Sequence, residues 1–368
     1  MRATAYYGAQ TTIPAAHPYP VETDMKGLLV SQWTTFDQLA LVEVPRPTLG
    51  PRDVRIRIQA AGVSFATSLV VQGKYQRKPP LPFTPGTEVS GIIVETGADA
   101  TRFKTGDRVC AVLDWGGLAE EAVAREVSVF GIPDSLSFAR AIAFTNSYAT
   151  SAAALTWPHL LNVTAGETLL VHGASGGVGI AAVEIGKILG ATVIATAGSQ
   201  AKLTLARAHG ADHGINYRER EFRDEVLSLT DGRGVDAVYD PVGGEVFMQS
   251  LRCMAPEARI MPVGFAGGEI PQIPANILLV KNLIVCGLNM GLYYGWSPND
   301  MRYVYEDRVR ANMEKLFSWF VEGRINPVVD TTYPLERVHE AMDDVLTRRA
   351  IGRIAVVMDE EAKRLGQG

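Results

Sequence analysis

The stretch TLLVHGASGGVGIAAVEIGKILG, residues 168–190, decides how this chain is built. Its first five residues, Thr168 to His172, form an unbroken apolar-rich run, the pattern of a strand buried on both faces. GASGGVG then places Gly173, Gly176 and Gly179 at three-residue intervals, with Gly177 and Val178 between the last two, and the helical pattern GIAAVEIGKILG follows. The spacing departs from the strict G-x-G-x-x-G form, but the physics is shared. Glycines permit a tight turn and let backbone approach a diphosphate, while the helix start offers free N–H groups and a partial positive charge. A glycine-rich match alone marks no more than a turn. The strand before it and the helix after it make a dinucleotide site the expectation here.

Reading onward, TVIATAG (192–198) is a second strand, followed by a helix through SQAKLTLARAHGA. VDAVYDPVGG (235–244) and ARIMPVGFAGG (258–268) are further strand-plus-turn units, and LIVCGLNMG (283–291) is one more strand. Strand alternating with helix implies βαβ units on a parallel sheet. The end of the second strand selects the nucleotide. An NAD site usually carries Asp or Glu there to hold the ribose 2′-hydroxyl. This chain has Gly198-Ser199-Gln200-Ala201-Lys202 instead. A hydroxyl and an ammonium suit a 2′-phosphate, which a carboxylate would repel, so NADPH is favoured over NADH. Lys202 also reads as a solvated helix charge and Ser199 as an N-cap.

Reading back, residues 26–130 are β-rich. MKGLLVSQW, LALVEVP, VSGIIVETG and DRVCAVL are short strands, and DVRIRIQAAGV alternates in its first half like a half-buried strand. Pro45, Pro47, Gly50 and Pro51 supply a turn, and the spacing suggests a curled sheet or partial barrel. Beyond residue 300, NMEKLFSWFVEGRI and LERVHEAMDDVL have helical spacing and IGRIAVVM closes as a strand. The layout is a parallel sheet (150–290) set between two pieces of another unit (26–149 and 291–368), after an irregular N-terminal arm (1–25).

A chain of 368 residues accommodates two domains. The net charge of −5 gives no basic excess for nucleic acid or an anionic membrane. No apolar run reaches the roughly 18–20 residues of a membrane span, and the first 25 residues lack a secretory pattern. Cys110, Cys253 and Cys286 lie far apart in apolar surroundings, as buried thiols of a reducing compartment, so a cytoplasmic address is expected. The histidines, His159, His172, His209 and His213 among them, show no metal-ligand spacing. His172 and the rings of Trp115 and Trp157 are read as packing groups.

AAGVSFATSLVVQGKY, PFTPGTEVSGIIVETG, FKTGDRVCAV, GGLAEEAV, VHGASGGVG, ADHGINYRE and VYDPVGG together resemble the medium-chain dehydrogenase/reductase superfamily, in its zinc-free NADPH:quinone oxidoreductase branch. The resemblance spans about residues 26–358. It implies an α/β fold, with a GroES-like β-rich catalytic domain split around a Rossmann doubly wound parallel-sheet domain, and a homodimer or homotetramer joined through Rossmann-sheet edges. Zinc members carry Cys and His where this chain has Ser64 and Thr87, and a cysteine-rich lobe is missing between Gly106 and Ala122, so no tetrahedral zinc site is expected. The resemblance puts Phe65, Ser64 and Thr67 beside the nicotinamide and substrate, although many relatives have Asn and Asp at the Ser64 and Thr67 positions. It puts Thr150 near the nicotinamide amide, and Gly176, Gly177 and Val178 at the diphosphate. Ser199, Lys202 and Tyr217 surround the 2′-phosphate; Val263, Gly264, Phe265 and Ala266 form a loop under the nicotinamide; Leu288, Asn289 and Arg353 are further neighbours.

Hydride transfer asks the protein mainly to orient NADPH and exclude water. The acceptor oxygen needs polarisation and a proton. Tyr75 matches a catalytic Tyr of related 2-enoyl thioester reductases, and a hydroxyl there can donate to a developing enolate; packing over the pocket mouth is the other reading. The expected reaction is quinone reduction, with reduction of a C=C bond conjugated to a carbonyl as the alternative. A third reading, of another class, is an NADPH-binding structural or RNA-associated protein with little turnover.

Overall fold

In the computed structural model, residues 25–358 are described; the expected N-terminal arm, Met25 aside, lies outside the described residues. In chain order the elements are β1 (Met25–Leu29), β2 (Ala40–Val44), β3 (Asp53–Val63), α1 (Phe65–Val71), β4 (Glu88–Thr96), β5 (Arg108–Val112), β6 (Glu121–Arg125) and β7 (Val129–Gly131). Next come α2 (Phe138–Ala143), α3 (Ala149–Thr156), β8 (Thr168–Val171), α4 (Gly177–Ile188), β9 (Thr192–Ala197), α5 (Gln200–Ala208), β10 (His213–Asn216), α6 (Phe222–Leu229), β11 (Val235–Asp240) and α7 (Gly244–Ser250). The chain continues through β12 (Met254–Pro262), α8 (Ala275–Lys281), β13 (Ile284–Val285), α9 (Met290–Tyr293), α10 (Glu306–Val321), β14 (Val329–Pro334), α11 (Val338–Leu346) and β15 (Arg353–Val357).

The apolar run at 168–172 becomes β8, buried along its whole length at the centre of a six-stranded sheet ordered β10-β9-β8-β11-β12-β13. All five pairings are parallel. Counting from β8, the order is 3-2-1-4-5-6, so the chain reverses direction beside β8 and opens a crevice at the strand ends. One face of the sheet is covered by α4 (Ala181, Ala182, Ile185) together with α3 and α10. The other is covered by Phe222 and Val226 of α6 and Phe247 of α7. Burial on both faces explains the near-continuous apolar strands.

The second sheet has seven strands, ordered β14-β15-β3-β4-β5-β7 with β6 on β3. Its pairings are antiparallel except β14 with β15, which α11 connects. Its core holds Val54, Ile56, Ile58, Val89, Ile93 and Val109 with Val338, Ala341 and Met342 of α11. A two-stranded sheet, β1 with β2, packs alongside.

Three segments differ from the sequence expectation. LIVCGLNMG was expected as a strand, but only Ile284–Val285 pairs. Gly287 is exposed and the side chain of Asn289 caps α9, which ends the extended run. MKGLLVSQW stops pairing after Leu29, apart from a single bridge from Val30 to Phe83, and Trp33 stands 40% exposed beyond it. Strand β10, inside ADHGINYRE, escaped notice because its glycine-interrupted four residues carry no period.

The three cysteines are buried free thiols. His172 is a packing group as expected. Its Nδ1 lies 2.9 Å from Thr196 Oγ1 and its Nε2 2.9 Å from Ser250 Oγ, and burial keeps its pKa below the usual imidazole value. Trp157 is buried, whereas Trp115 is half-buried. No helix among the described residues is long and apolar enough to cross a membrane.

Candidate active site

The turn after β8 is built by glycines for two separate reasons. Gly173 has φ +57°, a left-handed conformation that costs other residues energy. Gly179 has an ordinary φ, but a Cβ there would stand 2.2 Å from the Gly173 carbonyl oxygen. Helix α4 therefore seats directly on the turn. Gly176 is its N-cap and Gly177 its first residue. A Cβ on Gly177 would meet Arg353 Cδ at 2.6 Å and Ser147 Oγ at 2.7 Å, so both side chains lie against the helix start. Arg353 Nε and Ser147 Oγ are buried without a hydrogen-bond partner. A bare helix N-terminus flanked by unpartnered donors is a cradle that a diphosphate would complete. Gly352 closes the cradle by donating its N–H to the Ser175 carbonyl at 2.8 Å.

At the end of β9, Ser199 is the N-cap of α5 and accepts from the Lys202 N–H at 3.4 Å. Capping leaves its hydroxyl at the strand end, where the nucleotide reading needs it. Lys202 Nζ donates to the Arg348 carbonyl at 3.1 Å. Tyr217 is 51% exposed, and its hydroxyl lies 2.7 Å from where a Cβ of Gly198 would stand, with Arg218 Nε at 3.2 Å from the same point. The structure thus gathers Ser199, Lys202 and Tyr217, and adds Arg218 and Arg348. The sequence reading missed those two arginines. Arg218 directly follows Tyr217 in the chain; Arg348 is 146 residues from Lys202 and only folding joins them. Arg348 also donates from Nη2 to the Ala266 carbonyl at 2.5 Å, which ties this corner to the expected nicotinamide loop.

That loop is pinned to the end of β11. The Val263 N–H donates to the Asp240 carbonyl at 2.7 Å and the Ala266 N–H to the Pro241 carbonyl at 3.0 Å. Asp240 in turn accepts from the Val242 and Gly243 N–H groups. Gly264 and Phe265 lie between the pinned ends. Leu288 packs against the core beneath the parallel sheet, and Asn289 Oδ1 is taken up by the Gly291 N–H at 3.1 Å. Neither of those two residues joins the hydrogen-bonded cluster.

A π-helical turn, Phe144–Tyr148, separates α2 from α3. Such turns aim side chains that a regular helix would place elsewhere. Asn146 Nδ2 donates to Glu88 Oε1 at 2.7 Å, and Asn146 Oδ1 accepts from Thr150 Oγ1 at 3.4 Å. Glu88 Oε2 is ion-paired with Arg353 Nη2. A Cβ on Gly62 would strike both partners of that pair. One connected network therefore links Thr150, Asn146 and Glu88 to Arg353, the β15 arginine that lies against the start of α4. Ser151 extends the same wall, donating to the Val178 carbonyl at 2.9 Å. Neither Asn146 nor the role of Glu88 was read from sequence.

At the substrate end, Ser64 is the N-cap of α1; its Oγ lies 3.2 Å from Thr67 Oγ1 and accepts from the Thr67 N–H. Phe65 is 47% exposed. Tyr75 is half-buried in the loop after α1. Burial pushes its hydroxyl pKa up, the Gln76 side chain opposes this by a hydrogen bond, and the Glu88 charge adds to the upward shift, so the phenol stays a proton donor. Zinc does not fit here. Ser64 and Thr87 offer neutral hydroxyls, and Glu88 is occupied by Asn146 and Arg353. No group of three or more His, Cys, Asp or Glu side chains among the described residues is disposed to hold a metal.

The sequence model described as an alcohol dehydrogenase GroES-like domain matches residues 50–134, and one described as a zinc-binding dehydrogenase matches residues 177–306. Quinone oxidoreductase-like protein 2 of Rattus norvegicus is 39% identical over 320 residues, covering 86% of this chain and 88% of that protein. The structure of a quinone oxidoreductase from Pseudomonas syringae pv. Tomato DC3000 superposes with a TM-score of 0.81 at 30% identity, over 90% of this chain and 99% of the other. That of Escherichia coli quinone oxidoreductase complexed with NADPH superposes with a TM-score of 0.80 at 25% identity, over 90% and 99%.

Proposed function

The chain belongs to the zinc-free quinone oxidoreductase branch of the medium-chain dehydrogenase/reductase superfamily, and from that premise we propose that its acceptor is a quinone. It is an NADPH-dependent oxidoreductase. The observation that carries the site assignment is the pair of unpartnered donors, Arg353 Nε and Ser147 Oγ, against the bare start of α4. When bound, NADPH supplies a hydride, which brings the acceptor two electrons and one hydrogen; a proton completes the reduction. Gly176, Gly177 and Val178 with Arg353 hold the diphosphate. Ser199, Lys202, Tyr217, Arg218 and Arg348 surround the 2′-phosphate. Thr150 and the 263–266 loop orient the nicotinamide, while Ser64, Phe65 and Thr67 border the acceptor.

Tyr75 favours a second reading, reduction of a C=C bond conjugated to a carbonyl, because burial, with the Glu88 charge adding to it, keeps its hydroxyl protonated. The test is NADPH oxidation with 1,4-benzoquinone and with a crotonyl thioester. Turnover of the quinone is expected, and Tyr75→Phe should leave it within about twofold, since water can deliver that proton. If the thioester is also reduced, Tyr75→Phe should slow that reaction by about 10-fold or more. Reduction of the thioester with none of the quinone would replace the first reading by the second.

Two copies meeting along the β13 edge form the assembly we propose. Leu279 and Val280 of α8 are 79% and 78% exposed, next to the exposed Ile284 of that edge strand. Such a patch favours a partner of like chemistry. Leu279→Glu with Val280→Lys should convert a dimer to a monomer in light scattering; a wild-type monomer would defeat this assignment. The division we propose, 26–149 with 291–368 and 150–290, is supported by the strands: β3–β7, β14 and β15 share one large sheet and β8–β13 the other. Buried free thiols support a reducing, cytoplasmic setting.

A further inference from the structure

The loop after α1 reads KYQRK, residues 74–78, so three cations fall within five positions of a chain whose net charge is −5. Lys74 and Lys78 are exposed, and Arg77 is half-buried between them. The carboxylate facing Arg77 is Asp114, which it shares with a second guanidinium. Asp114 Oδ1 accepts from Arg302 Nη2 at 3.0 Å, and Arg302 is further paired with Asp300 at 2.8 Å. Arg77 Nη1 lies 2.9 Å from the same Asp114 oxygen but out of hydrogen-bond alignment, and it is a buried nitrogen with no hydrogen-bond partner. Its guanidinium sits 5.5 Å from the ring centroid of Trp115 and 6.0 Å from that of Trp296. Both rings hold the cation by its π-contacts without using its N–H donors.

Chain neighbours tie this cluster to the substrate end. Asp114 and Trp115 follow Leu113, whose N–H donates to the Thr87 carbonyl at 2.8 Å, next to Glu88. Tyr75 is two residues from Arg77. A buried donor lacking an acceptor is costly, and a planar guanidinium matches a planar or tetrahedral oxyanion in two-point contact. Flanking exposed lysines add a field that draws anions toward the mouth. We propose that Arg77, assisted by Lys74 and Lys78, recognises a negatively charged oxyacid group on the electron acceptor, so that this site prefers acceptors carrying a carboxylate, phosphate or sulfonate over neutral ones. The inference deepens the reductase reading and rests on it.

The test compares 1,4-naphthoquinone with 1,4-naphthoquinone-2-sulfonate, each variant being referred to the unaltered protein on the same acceptor so that intrinsic reactivity cancels. Arg77→Gln should lower kcat/KM for the sulfonate by about 10-fold or more and leave the neutral quinone within about twofold. Rising salt should depress the rate with the sulfonate alone, and Lys74→Gln with Lys78→Gln, both exposed and harmless to folding, should flatten that dependence. Binding of the sulfonate is also read directly, through quenching of tryptophan fluorescence, independently of turnover. Equal losses on both acceptors, or unchanged sulfonate affinity in Arg77→Gln, would overturn the proposal. Failure of the reductase reading looks different: neither quinone is turned over, while the quenching difference between the unaltered protein and Arg77→Gln still decides the role of Arg77.

Discussion

Glu88→Gln should destabilise the nucleotide-free protein by about 3–5 kcal/mol, the cost of leaving a buried charge without its partner. Glu88 and Arg353 have side chains 4% and 10% exposed, so solvent screens the pair little. The amide keeps the shape of the carboxylate and its contact with Asn146, which isolates loss of charge from loss of packing. Arg353 then has a buried guanidinium facing a neutral group, with Nε already unpartnered. The measurement is denaturant unfolding monitored on the seven-stranded sheet. Glu88→Leu combined with Arg353→Leu supplies the control, since removing both charges should cost far less than removing one. A loss below about 1 kcal/mol in Glu88→Gln would show that the pair does not carry a buried charge, and with it the network from Thr150 to the phosphate helix would lose its anchor.

Lys202→Ala should weaken NADPH binding by about 10- to 100-fold, as expected for removal of one charge-assisted contact worth roughly 1.5–3 kcal/mol. NADH, which has no 2′-phosphate, should be affected within about twofold. The structure gives the reason for a large effect at this half-buried site. Lys202 Nζ already rests on a backbone carbonyl, so its position is set, and a carbonyl is a weaker partner than a phosphate dianion. Calorimetric titration of both nucleotides against both proteins decides the matter. Equal weakening of NADPH and NADH would make Lys202 a general support of the cleft and would pass discrimination to Arg218 and Arg348.

The strand-turn-helix at 168–190 was legible because each of its requirements is local. An apolar run says that both faces are covered, and glycines at fixed spacing say that backbone must come close to backbone. The cap that Ser199 places on the helix carrying Lys202 was legible for the same reason, both residues lying within its first turn. Strand β10 and most of the LIVCGLNMG segment were misread because four- and two-residue strands carry no period, and only their neighbours' ladders determine where they begin and stop.

The site's wiring lay out of reach of such arguments. Glu88 and Arg353 are 265 residues apart and belong to β4 and β15, strands on either side of β3, so their pairing follows from sheet order. Asn146 reaches Glu88 because a π-turn rotates it, a feature with no local mark in FTNSY. Arg77 finds Trp296 and a shared Asp114 from three separate loops. Short-range patterns thus determined the two-sheet architecture, the nucleotide and the missing metal ligands. Partnership of charges was decided by the tertiary structure alone, because a charge's energy depends on what stands within a few ångströms of it, and chain order does not record that distance.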